Sequence, residues 1–156
     1  MKAMFVALVV SSLLAGACTP ANLTRLRMPV ESQRAEVLIY RESSVLASLG
    51  GLIFGANRQD YVILSNGSYA QIYLSPNTYE FFVRSTGADQ PYVLGITLSA
   101  NTRKCLKGYP NPSNILKSLL FIPAYYMGNT FLLEEVACPS SEELTKYSKV
   151  AVQYVE

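Results

Sequence analysis

A chain of 156 residues, half of them hydrophobic, has room for one domain with a single core. Thirteen Lys and Arg against eleven Asp and Glu leave a net charge of +2, which argues against a nucleic acid as partner. There is no histidine, so Ser–His and Cys–His nucleophiles, imidazole metal ligands and a titrating switch near neutral pH are all excluded.

The first residues have the order of an export signal: Lys2, an apolar run from Met4 to Leu14, and the small residues Ala15-Gly16-Ala17. The apolar run is too short to cross a bilayer stably. Cys18 follows, and Leu14-Ala15-Gly16-Ala17-Cys18 resembles the lipobox of bacterial lipoproteins, with the leucine one place further from the cysteine than is usual. The competing reading is an ordinary secretory leader cut after Ala17, which would leave Cys18 as a reactive free thiol that lipidation removes. The expectation is a leader at 1–17 and lipid on Cys18. The lipoprotein resemblance implies three acyl chains, and at about 0.8 kcal/mol per buried methylene more than one chain makes a lasting anchor. Thr19 stands where an inner-membrane retention signal would have Asp, so the expected location in a Gram-negative host is the periplasmic face of the outer membrane.

Residues 18–34 read as a flexible tether, with Pro20, Pro29 and three arginines, Arg25, Arg27 and Arg34. Those arginines either rest on anionic headgroups or keep a solvated linker extended. Asn22-Leu23-Thr24 and Asn66-Gly67-Ser68 match a glycosylation sequon by accident in a bacterial chain.

From Ala35 to the end, residues 35–156 show short β-like runs between turn residues, the pattern of an all-β protein: a small antiparallel β-sandwich with one or two short helices. Val37 to Tyr40 is the first run. Ser43 to Asn57 is rich in glycine without phosphate-loop spacing and reads as a flexible connection or an irregular edge strand.

Tyr61 to Ser65 and Ser68 to Leu74 flank Asn66-Gly67, the pair that most readily takes the two left-handed positions of a type I′ hairpin. That turn sets Ile63 opposite Ala70 and Tyr61 opposite Ile72. A second turn at Ser75-Pro76-Asn77-Thr78 leads into Tyr79 to Arg84, with Leu74 opposite Tyr79. Both turns agree on one buried face, made of Tyr61, Ile63, Ala70, Ile72, Leu74, Tyr79, Phe81 and Val83, so the stretch predicts a three-stranded antiparallel meander.

Tyr92 to Leu98 is a fourth strand, Ser99-Ala100-Asn101 turns into Thr102 to Lys107, and Phe131 to Ala137 is the last clear strand. Ser140-Ser141-Glu142-Glu143 caps a short helix to about Tyr147, and Val150 to Val155 adds a terminal strand. Cys105 and Cys138, an even pair in an exported chain, read as a disulfide; zinc is the weaker reading, since two ligands without histidine do not make a usual site. Ile115 to Met127 is apolar and short, with Asn111 as cap, Pro112 at the first helical position and Pro123 as stop. Either it covers the sandwich, or it exposes Leu119, Phe121, Tyr125 and Tyr126 to a partner protein or the membrane interface.

The order lipobox, basic linker, Val37-Leu38-Ile39-Tyr40-Arg41, Asn66-Gly67-Ser68-Tyr69, Leu74-Ser75-Pro76-Asn77-Thr78-Tyr79 and Leu98-Ser99-Ala100-Asn101-Thr102 resembles the family catalogued as domain of unknown function 2846. The resemblance covers about Ala35 to Cys105 and rests on turn signals. Asn77 departs from it where glycine is usual, a change that left-handed asparagine tolerates. Cys105 departs from it where an aromatic strand is expected. The resemblance implies an exported β-sandwich lipoprotein and no reaction.

The carboxylates Asp60, Glu80 and Asp89 are scattered, and paired-acid glycosidase chemistry would need the fold to bring them together. No catalytic residue, cofactor or metal is therefore expected. The functional expectation is a non-enzymatic, membrane-anchored binding or accessory module of a cell-envelope complex, held by its lipid and meeting an envelope protein. The rivals are a periplasmic enzyme acting on envelope polymers and a purely structural envelope lipoprotein.

Overall fold

A computed structural model describes residues 22–44, 50–86, 90–114 and 128–155. Its strands are β1 (Leu26–Arg27), β2 (Ala35–Arg41), β3 (Leu52–Ala56), β4 (Gln59–Leu64), β5 (Ser68–Leu74), β6 (Asn77–Ser85), β7 (Tyr92–Leu98), β8 (Arg103–Pro110) and β9 (Phe131–Val136). A short helix α1 (Ser141–Leu144), then β10 (Ser148–Lys149) and β11 (Tyr154–Val155), complete the chain. The larger sheet runs β10-β5-β2-β8-β9, the smaller β4-β3-β6-β7, and β1 pairs with β11.

The two sheets face each other across one core, so the chain is an all-β sandwich. Val37 and Ile39 of β2, Ala70 and Ile72 of β5 and Leu106 of β8 meet Leu52 and Phe54 of β3, Leu64 of β4 and Phe81 and Val83 of β6. Phe54 and Phe81 stack in the middle with ring centres 5.4 Å apart. The smaller sheet is antiparallel throughout, whereas the larger is mixed, because β2 runs parallel to β8 and β5 parallel to β10.

The expected meander does not form. β4 pairs with β3 in the smaller sheet, β5 pairs with β2 in the larger, and β6 returns to the smaller. Asn66-Gly67 and Ser75-Pro76 therefore carry the chain between layers. Gly67 is left-handed at φ +66, but Asn66 is not among the left-handed residues, so the type I′ geometry is absent there. It occurs instead at Asn57 and Arg58, φ +50 and +67, which join β3 to β4. Crossing between layers also changes which side of β4 is inward: Val62 and Leu64 join the core while Ile63 is only half-buried. Tyr61 is buried as well, through the register shift opposite Phe54 and Gly55. On β5 and β6 the expected inward residues Ala70, Ile72, Leu74, Phe81 and Val83 are buried as read.

Three further readings need correction. The glycine-rich stretch contains β3, an internal strand whose five residues are all buried, rather than a flexible connection or an edge. Asn77 begins β6 opposite Leu98 in extended backbone and uses no left-handed geometry. Within the stretch read as a free tether, residues 22–34 dock on the domain: Leu26 is buried, its N–H donates to the Gln153 carbonyl at 2.9 Å, and Thr24 donates to the Asp60 carbonyl at 2.7 Å.

The C-terminal helix and Tyr147 cover part of the outer side of the larger sheet. Ser140 and Glu143 form a reciprocal capping box on α1, at 3.1 and 2.8 Å. Leu144 and Tyr147 then pack on Leu38, Tyr40 and Cys105.

Candidate functional site

One end of the sandwich is closed by a buried charge. Inward residues of β2 fall at Ala35, Val37 and Ile39, and the same alternation turns Arg41 inward, where it is fully buried. Its guanidinium donates to the carbonyls of Gly50 and Leu64, at 2.8 and 3.2 Å, and lies 4.8 Å from the ring centre of Phe131. Burial pulls its pKa below the ordinary arginine value. Arg41 belongs to the larger sheet and Leu64 to the smaller, so this side chain ties the two layers together.

The described residues that flank segments 45–49, 87–89 and 115–127, which themselves lie outside the described residues, are at that same end, as the pairings of Arg41 with Gly108, Leu52 with Ser85 and Pro110 with Phe131 require. The longest of these segments is closed at its base. Asn111 Oδ1 accepts the Ser113 N–H at 3.1 Å, capping a helix that begins at Pro112 as the sequence predicts. Asn111 Nδ2 and Asn114 Nδ2 both donate to the Asn129 carbonyl, at 3.0 and 2.6 Å, and the Asn111 N–H donates to the Thr130 carbonyl at 2.9 Å. One hydrogen-bonded stem therefore ties Asn111 and Asn114 to Asn129 and Thr130, on the two sides of segment 115–127. Leu119, Phe121, Tyr125 and Tyr126, the expected partner surface, lie outside the described residues, as do Cys18 and Asp89.

Beside the stem is a depression of about 540 Å³ bounded by Glu42, Ser43, Lys107, Tyr109, Pro112 and Glu134. Strand parity on β8 turns Lys107 outward next to Cys105, and pairing with β9 sets it opposite Glu134. Its ammonium donates to Glu42 at 2.9 Å and stands 6.0 Å from the Tyr109 ring centre. That hydrogen bond raises the Lys107 pKa above its usual value, and desolvation raises those of Tyr109 and neighbouring Tyr40. At neutral pH these groups are a cation and two neutral phenols: they can donate hydrogen bonds and stack, but neither phenol is a phenolate nucleophile. Sequence reasoning missed this group because Glu42, just after β2, is 65 positions from Lys107 in sequence and meets Lys107 and Tyr109 of β8 only through the pairing of β2 with β8. The one signal was a lysine alternating with Cys105 on a strand.

The acids named from the sequence partly converge. Asp60 and Glu80 line a second depression of about 450 Å³ on the outer side of the smaller sheet, with Arg58, Phe82, Arg84 and Val93. Arg84 Nη2 donates to Asp60 Oδ2 at 2.5 Å, and only 12% of the Asp60 side chain is exposed. One carboxylate is thus committed to an ion pair, and Glu80 is exposed. Among the described residues no three His, Cys, Asp or Glu side chains gather where they could hold a metal ion.

Cys105 and Cys138 form the expected disulfide, with Cα atoms 5.0 Å apart and a sequence separation of 33. Antiparallel pairing sets Cys105 opposite Val136, and Cys138 follows two residues on, on the same side of the sheet. Comparison with family models, curated proteins and solved structures finds no match for the chain.

Proposed function

We propose that the chain is a lipid-anchored, non-enzymatic binding module of a cell-envelope complex, related to the domain of unknown function 2846 family. The observation that carries the reading is the convergence, at one end of the sandwich, of the asparagine stem that holds segment 115–127 and the depression with Lys107 and Tyr109. Loops gathered at one end of a rigid sandwich are a common way to present a binding surface. The Cys105–Cys138 bond suits the oxidising compartment that an exported lipoprotein enters.

The anchor attaches at the other end. Thr24 is bonded to Asp60 at the start of β4, whereas Arg41 is bonded to Leu64 at its finish, roughly 14 Å further along the strand. Asn22 is four positions on from Cys18, a leash of at most ~14 Å. Lipid on Cys18 would hold the domain by its Asp60 end, close to the bilayer, and turn the Arg41 end outward. The stem then faces a partner protein rather than the anchoring bilayer.

The test pairs binding with folding. Leu119→Asp or Tyr125→Ala in the full chain should abolish crosslinking to the envelope partner while thermal unfolding stays unchanged. Equal loss of both would make segment 115–127 part of the core and remove the proposed surface. A second reading, an enzyme acting on envelope polymers, is favoured by the depression that Asp60 and Glu80 share. Turnover of peptidoglycan or lipid substrates that disappears in Glu80→Gln would establish it in place of the first.

A further inference from the structure

An exposed strand edge offers unpaired N–H and C=O groups to any extended chain, and natural sheets blunt such edges with short strands, charges or covering segments. Among the described residues, three of the four edges of the two larger sheets are blunted. β10 is two residues long, β9 carries Glu134 and Glu135, and β4 has the Thr24 N–H on its Asp60 carbonyl. The fourth, β7, has seven residues with neither charge nor proline and an unbroken register against β6. Among the described residues no backbone group on its far side has a partner.

Gly95, at the centre of β7, is unexplained by the fold around it. Its φ is not in the left-handed region, and a Cβ placed on it would meet nothing within 4 Å. Glycine inside a strand usually marks a bulge, a bend or the close approach of another backbone, and β7 has neither bulge nor break.

We propose that β7 is a dimer edge at which two copies of this chain pair antiparallel, about a two-fold axis passing Gly95. The strand reads alike in both directions about that residue. Val93, 51% exposed, falls opposite the partner's Thr97 on the outer side, a β-branched pair of the kind that stabilises antiparallel sheets. On the inner side Leu94 falls opposite the partner's Ile96 and Tyr92 opposite the partner's Leu98. Tyr92 and Leu94 are only partly buried within one copy, and the pairing covers them. With no charge on β7, its juxtaposition with itself meets no repulsion, and the same patch serves both copies as a closed two-fold interface requires.

The full-length chain in detergent micelles should be a dimer by light scattering in the micromolar range. Gly95→Lys and Gly95→Glu, each setting like charges directly opposite, should each be monomeric, and an equimolar mixture of the two should recover the dimer, which also shows that both variants fold. A wild-type chain that remains monomeric overturns the proposal and leaves the edge to an extended segment of another protein. Dimerisation of Gly95→Lys equal to wild type, or a mixture that stays monomeric, overturns it equally.

Discussion

At the residue scale the sandwich depends on a few side chains whose surroundings differ from what their type implies. Arg41 is the clearest, a guanidinium at the end of the apolar run Val37-Leu38-Ile39-Tyr40 that is buried rather than solvated. Removing it in Arg41→Ala leaves the Gly50 and Leu64 carbonyls short of a donor and opens a cavity beside Phe131, and should cost about 3 kcal/mol or more in urea unfolding. Tyr61 gives a pH signature. Burial, aided by nearby Tyr79, raises its pKa from 10 to about 12, so the unfolded chain ionises first as the solution turns alkaline. Stability on this account is full below pH 10 and falls by at most ~1.4 kcal/mol per pH unit up to about 12. Tyr61→Phe should flatten that limb of the stability profile measured by circular dichroism. Arg41's burial was not legible in the sequence, since alternation puts it inward but residue type argues for solvent; Tyr61 was read as buried, but through a meander that does not form, and it owes its burial to a register shift that only pairing with β3 creates.

Elements were legible where the signal is local. Tyr92 to Leu98 and Phe131 to Val136 are strands, Ser140 caps α1, and Asn111 caps the residues from Pro112. What the sequence hid is which layer each strand joins. Asn66-Gly67 has the local chemistry of a tight hairpin, yet β4 and β5 take partners from different sheets, while Asn57-Arg58, without a glycine, makes the two-residue hairpin. Turn propensity reports the cost of a backbone conformation, and strand partnership is decided by distant segments such as β2, which lies between β5 and β8. The same limit hid β3. Gly50, Gly51 and Gly55 suggested flexibility, but a Cβ on Gly55 would come within 2.0 Å of the Gln59 carbonyl, so that glycine serves a close backbone approach inside a buried strand. The disulfide was readable because parity and count both pointed to it. Its reduction should lower stability by about 3 to 4 kcal/mol on the chain-entropy model, read as a lower denaturant midpoint with an intact fold in dilute buffer.

For the whole molecule, the account gives the sandwich two working ends. Residues 22–34 dock along the domain, so a lipid on Cys18 would act through a short leash at the Asp60 end, and the asparagine stem that flanks segment 115–127 would lie at the end away from the lipid surface. The candidate site was only partly legible: segment 115–127 stood out by composition, whereas Glu42, Lys107 and Tyr109 become neighbours only when β2 and β8 pair in parallel. Everything assigned to the two ends depends on the chain being held at a bilayer through its first mature residue. Mass spectrometry of the N-terminal peptide from the purified membrane fraction is the most direct measurement. The account predicts that this peptide begins at Cys18 and carries the added mass of a thioether-linked diacylglycerol and an amide-linked acyl chain. A peptide that begins at Cys18 with an unmodified thiol would contradict it.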